Sequence, residues 1–160
     1  VSKRNNIENK IRYFLLDHGF YEVINFPFVN VSSEYSIKVD NPLDSNRRFL
    51  RTNIINSLVD NLLFNERRQK DSVKLFEISD VYSTEGNLQK RRKLSIIASG
   101  RVGLNYQEFS TKISIEYLST IFAEISGAFF TKNLSEPEIA SDLSFFDPIA
   151  LIIFSLLAGT

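Results

Sequence analysis

Apolar residues recur along the chain in three helical stripes, separated by segments whose alternation belongs to strands. Ile7, Ile11, Phe14 and Leu15 follow the i, i+4, i+7, i+8 spacing of one helix face. Asn5 with Glu8 three residues later predicts a capping box at its start. Gly19, after Asp17 and His18, supplies the left-handed residue that ends it. Tyr21 to Phe28 (YEVINFPF) is rich in aromatic and β-branched residues and predicts a strand, with Pro27, which has no amide proton to donate, placing it at an edge or a strand end. Tyr35, Ile37 and Val39 alternate and predict a second short strand with one buried face.

Asn41-Pro42-Leu43-Asp44 interrupts this pattern, because a proline forces the residue before it out of the helical region. Ile54, Ile55, Leu58, Val59, Leu62 and Leu63 then form the stripe of a buried helix, with Thr52 or Asn53 placed to cap it. Past a polar loop at 66–72, Val73 to Ser79 and Leu94 to Ser99 predict antiparallel neighbours around a turn at Ser83 to Asn87. Ile113, Tyr117, Leu118, Ile121, Phe122 and Ile125 predict a third helix closed by Gly127, followed by weaker extended segments. The last of these, Ile149 to Ala158, is the most apolar run, far shorter than the roughly 20 residues of a membrane helix, and predicts a buried strand. Clustered strands without βαβ alternation indicate an α+β fold, an antiparallel sheet flanked by helices. A single domain over residues 1–160 is expected. It should be cut short at its C-terminus, since Gly159-Thr160 stands where a hairpin turn would begin, and the absence of an initiator methionine before Val1 points to a piece of a longer chain.

Composition narrows the chemistry. With 19 Lys+Arg against 19 Asp+Glu there is no net charge, so a nucleic-acid contact would have to be local. No cysteine and one histidine exclude disulfides, thiolate metal sites and Cys-His catalysis. His18, at a helix C-terminus, reads as a cap. Glu136 and Glu138 fall in a proline-interrupted loop, Gly100-Arg101-Val102-Gly103 lacks the spacing of a phosphate-cradling loop, and no catalytic, cofactor-binding or metal-ligating set emerges. Two basic clusters, Arg67-Arg68 with Lys70 and Lys90-Arg91-Arg92-Lys93, are expected at solvated loop tips. They are also the possible RNA contacts of an alternative reading, a free-standing RNA-binding domain.

From Asn41 to Tyr82 the string NPLDSNRRFLRTNIINSLVDNLLFN, then VKLFEISDVY, resembles the β subunit of bacterial phenylalanine-tRNA ligase. More narrowly it resembles that subunit's catalytic-like core, a relative of class II aminoacyl-tRNA synthetases. The family's helix, Gly-aromatic step and Glu-Val strand are matched upstream by Ile11 to Asp17, Gly19-Phe20 and Tyr21-Glu22-Val23. Leu50-Arg51-Thr52 matches the Leu-Arg-Thr entry to the buried helix, and Leu75-Phe76-Glu77-Ile78 the motif 2-like strand. Active class II enzymes carry aromatic, Arg, any residue and acid at the end of that strand, and Tyr82-Ser83-Thr84-Glu85 stands in its place. Ser83 cannot make the bidentate, charge-assisted contact to carboxylate and phosphate that arginine makes. The third reading, an active class II domain, is opposed on that ground.

The resemblance weakens further along, where Ser114-Ile115-Glu116-Tyr117-Leu118-Ser119 replaces the family's Asp-aromatic-Asp-Leu-Lys-Gly opening and Phe146-Asp147-Pro148 its His-Pro-Gly signature. It implies a non-catalytic scaffold that binds the α subunit, in a cytoplasmic heterotetramer charging tRNA(Phe) with phenylalanine. ATP and Mg²⁺ would serve the parent complex, with no cofactor in this segment and no membrane partner. Because class II motif 1 builds the subunit interface, Ile11, Phe14, Tyr21, Val23 and Phe26 become interface candidates, with a place in the domain's own core as the alternative. Arg51 either braces that contact through a carboxylate or sits in a solvated ion pair worth about 0–1 kcal/mol.

Overall fold

In the computed structural model, residues 3–42, 44, 46–68, 70, 72–103, 111–129 and 152–153 are described. Its centre is a long antiparallel hairpin of β4 (Val73–Ser83) and β5 (Gln89–Ser99), in register from Val73 opposite Ser99 to Ser83 opposite Gln89. Both strands run further toward the turn than their apolar halves predict. At that end polar side chains pair across the strands, with Lys90 Nζ 3.0 Å from Asp80. Gly86, with φ of 74°, takes the left-handed turn position.

Each face of the hairpin is covered, and the period of two assigns residues to faces. Phe76 and Ile78, with Ile96 and Leu94 across from them and Ala98 on the same face, pack against α1 (Lys3–Asp17) and α3 (Ile115–Phe129). Leu75, Val81 and Ile97 pack on the other face against Leu58 and Leu62 of α2 (Ile55–Glu66). Two short strands join as parallel edges, β1 (Tyr21–Glu22) beside β4 and β6 (Ile152–Ile153) beside β5, giving the order β1-β4-β5-β6. The fold is thus α+β as expected, with an antiparallel centre and parallel edges. A second, two-stranded sheet pairs β2 (Phe28–Val29) with β3 (Phe49–Leu50).

Several local expectations need correction. α1 begins at Lys3, so Asn5 lies inside it, and Glu8 is bound to Arg92 rather than closing a capping box. Its other end follows the sequence: Gly19 has φ of 77°, and Phe20 N–H returns to Leu15 O at 3.0 Å, turning the buried Phe20 ring into the core. The expected strand at Tyr21 to Phe28 is split, since after Glu22 the chain leaves the sheet and Asn25 N–H bonds a side chain, Glu77 Oε1, at 3.3 Å. Tyr35 to Val39 forms no strand. Tyr35 is left-handed at φ 62°, and only the single bridge of Lys38 to Phe49 forms.

The cap position of α2 is Ile54, which makes no side-chain cap bond. Asn53 Oδ1 accepts from Asn56 N–H at 3.4 Å, while the Thr52 hydroxyl is engaged with Ser33. Helix α3 starts at Ile115, where Ser114 Oγ accepts Tyr117 N–H at 3.2 Å, and it runs through Gly127 to Phe129. Glu136, Glu138, residues 146–148 and the run at 149–158 apart from β6 lie outside the described residues.

Candidate functional site

Arg51 and Glu77 are 2% and 1% exposed, and they meet on the α2 face of β4. Glu77 is there because it shares strand parity with Leu75 and Val81, so an acid is carried into a covered layer where it must find partners. Arg51, at the end of β3, supplies them: its Nη2 donates to Glu77 Oε1 at 2.7 Å and to Ser79 Oγ at 2.5 Å, and its Nε to Asp80 O at 3.4 Å. Glu77 Oε2 accepts from Asn25 Nδ2 at 2.8 Å, and Asn25 Oδ1 accepts from Asn61 Nδ2 of α2 at 2.9 Å. One network therefore ties β4, α2, the start of the α2 segment and the chain between β1 and β2. Of the two readings of Arg51, the solvated ion pair is corrected, because both members of the pair are buried, and the carboxylate it meets belongs to this domain's own β4. Sequence reasoning missed Asn25, Asn61 and Ser79. The one available signal was the parity that buries Glu77.

Outside this network lie exposed apolar side chains. Among the described residues, eleven large hydrophobic side chains are exposed, and six of them, Tyr21, Ile24, Phe26, Phe28, Val31 and Tyr35, belong to one fifteen-residue segment. Ile24 is 90% and Phe26 67% exposed, and the Arg47 guanidinium lies 4.6 Å from the Phe26 ring centroid. Of the candidate interface residues, Tyr21 and Phe26 are exposed. Val23 is half-buried against the α2 core, and Phe14 is half-buried with its ring 4.2 Å from that of His18. Ile11, 1% exposed in the core between α1 and the sheet, has no surface to offer a partner and leaves the set.

The strand-end segment that matches motif 2 is committed to the hairpin. Phe76 is in the core and Tyr82 pairs across the hairpin with Lys90. Ser83 Oγ accepts Glu85 N–H at 3.1 Å and braces the turn, while Thr84 N–H and Oγ1 both donate to Tyr35 O, at 2.9 and 3.0 Å. Of the two basic clusters, Arg67, Arg68 and Lys70 are exposed just past the end of α2, as expected, whereas the second is placed differently. Lys90 to Lys93 lie within β5, where alternation sends Lys90 and Arg92 to the α1 face and Arg91 and Lys93 to the other. Arg92 makes a two-point contact with Glu8 at 3.1 and 3.0 Å, and this contact raises the Arg92 pKa above its ordinary value; Asp80 likewise raises that of Lys90. Arg68 turns back over Phe64, 3.4 Å from its ring centroid, and donates to Phe64 O, while Arg67 N–H closes the end of α2. Lys70 N–H reaches Asn65 O at 3.4 Å. His18 is the expected cap, Nδ1 meeting Phe14 O at 2.8 Å.

Comparison with known proteins gives this geometry a context. The family model described as phenylalanyl tRNA synthetase beta chain CLM domain matches residues 1–148. The chain belongs to this family. Phenylalanine–tRNA ligase beta subunits that resemble it include those of Mycoplasma mycoides, 30% identical over 86% of this chain, and Carboxydothermus hydrogenoformans, 28% identical over 89%. That of Thermotoga maritima is 31% identical over 76%. The chain spans only 18%, 20% and 16% of the lengths of these three relatives. Among solved structures, PylSc of Desulfitobacterium hafniense, a pyrrolysyl tRNA synthetase, shares the fold with a TM-score of 0.59 at 17% identity, over 79% of this chain and 45% of that one. The class II synthetase fold is thereby shown for this β-chain CLM domain. Among its described residues, no helix is long and apolar enough to cross a membrane, and no group of three or more His, Cys, Asp or Glu side chains could hold a metal ion.

Proposed function

We propose that this β-chain domain is a non-catalytic scaffold that docks the α subunit of phenylalanine-tRNA ligase, supporting that subunit in the ATP- and Mg²⁺-dependent charging of tRNA(Phe) with phenylalanine. The observation that carries the reading is the density of exposed apolar side chains between Tyr21 and Tyr35, backed by a buried polar network. Clustered aromatic and aliphatic side chains with an arginine are the composition of an interface core. Ser83 supports the non-catalytic part, since its hydroxyl is engaged in the turn and carries no charge for a phosphate.

The test uses the complete β subunit and the α subunit of the same source, separated by size exclusion with light scattering. The parent pair co-elutes at a defined stoichiometry. A β subunit carrying Ile24→Asp and Phe26→Asp elutes apart from the α subunit while keeping its melting temperature. Co-elution of that variant at full occupancy contradicts the reading, and so does phenylalanine-dependent exchange between ATP and pyrophosphate by the β subunit alone.

A further inference from the structure

Between β1 and β2, residues 23–27 form no strand of their own. They are held at three points instead: Val23 N–H on Phe76 O at 2.9 Å, Asn25 N–H on Glu77 Oε1 at 3.3 Å, and Pro27 O accepting Arg51 N–H at 2.8 Å. The residues between, Ile24 and Phe26, are the exposed ones. At the middle point a carboxylate replaces the backbone partner. Its second oxygen takes Asn25 Nδ2, and Asn61 holds the other end of that amide.

A buried ion pair adds little net stability over apolar packing of the same volume, so stability alone is a weak reason for Glu77 and Arg51. What the carboxylate supplies is two acceptors at fixed positions. We propose that Asn25 and Glu77 are positioning residues that set the path of residues 23–27, so that Ile24 and Phe26 are presented together to the neighbouring subunit. This rests on the interface reading above and adds to it the device that shapes the docking surface.

The test is a double-variant cycle in the complete β subunit, reading the dissociation constant for the α subunit, amide exchange over residues 23–27, and melting temperature. Asn25→Asp sets a second carboxylate against Glu77; we expect affinity to fall about 10–100-fold and exchange to rise. Adding Glu77→Gln lets the new amide donate to the new carboxylate while its oxygen still takes Arg51, and recovers affinity to within about threefold. Asn25→Ala, which introduces no charge, gives a milder loss of both should the single aspartate variant not fold. A purely structural role would let the double variant regain its melting temperature but neither exchange protection nor affinity, and that result overturns the proposal. Unchanged exchange and affinity in Asn25→Asp overturn it as well. If Ile24→Asp weakens assembly while Asn25 variants do not, the positioning role alone fails. If Ile24→Asp binds the α subunit as the parent does, the docking surface falls first and the positioning role with it.

Discussion

Phe76 and Ile78, on one face of β4, are closed over by apolar side chains of α1 and α3, whereas Glu77 and Ser79, on the opposite face, meet Arg51 and, through Glu77, Asn25. Neighbouring residues of one strand thus serve two kinds of packing. Apolar burial is non-directional and proportional to area, so it holds the helices on the sheet without dictating any single path for a loop. Hydrogen bonds to a buried carboxylate are directional, and leaving one unmade is expensive, so they fix where a segment runs. The α2 face, which also carries the Leu75, Val81 and Ile97 core, is the one whose side chains bond the exposed segment, through Asn25. Apolar burial on both faces holds the helices to the sheet, and the directional bonds of Glu77 on one of them fix the path of the segment above it.

The sharpest break in this comparison is Arg51→Ala, which strands the Glu77 carboxylate in a covered layer. We expect a loss of about 3–5 kcal/mol in urea unfolding, with exchange rising over residues 23–27. On the α1 and α3 face, Ile96→Val removes one methylene beside Phe76 and costs about 1 kcal/mol, with exchange at 23–27 unchanged. An equal rise in exchange there would erase the distinction between the faces. Arg92→Ala, which releases the half-covered Glu8 carboxylate, costs about 1 kcal/mol and shrinks as salt is added.

The smallest effect concerns the start of α3. Glu116 has its pKa lowered by a hydrogen bond from Ser114 and then by the backbone at the helix end. A carboxyl whose folded pKa is depressed favours the folded state above its unfolded pKa, and that contribution disappears as the pH falls through the folded value. Ser114→Ala should move the Glu116 titration, followed by NMR, back toward the ordinary carboxylate range and flatten the acid limb of stability against pH. An unmoved titration would remove Ser114 as the cause.

The helices were legible because a stripe at i, i+4, i+7 survives in one short stretch of sequence, as Ile7, Ile11, Phe14 and Leu15 demonstrate. The inner halves of β4 and β5 were legible for the same reason, since LFEI and LSIIAS carry their own pattern. Their outer halves were not, because Asp80, Tyr82, Lys90 and Arg92 look like loop until the register sets them opposite one another. For that reason four consecutive cations read as a solvated tip, although alternation divides them between two faces. Tyr21 and Phe26 were recognisable as surface candidates, whereas Ile11 carries the same chemistry and is buried, a difference only the helix's rotation against the sheet decides. The network was the least legible part. Arg51 and Glu77 were each marked by family motifs, but the bonds from Glu77 to Arg51 and Asn25, and from Asn25 to Asn61, span 26, 52 and 36 positions, and no local pattern encodes a partner at such distances.

Amide hydrogen exchange of the complete β subunit, alone and with the α subunit, addresses the central claim most directly, because it reports on the segment 21–35 without any substitution. The account predicts that protection over 21–35 rises on complex formation while protection in β4 and β5 at 73–79 and 94–99 stays as it was. Protection that appears elsewhere in the domain, with 21–35 exchanging as fast in the complex as in the free subunit, would contradict it.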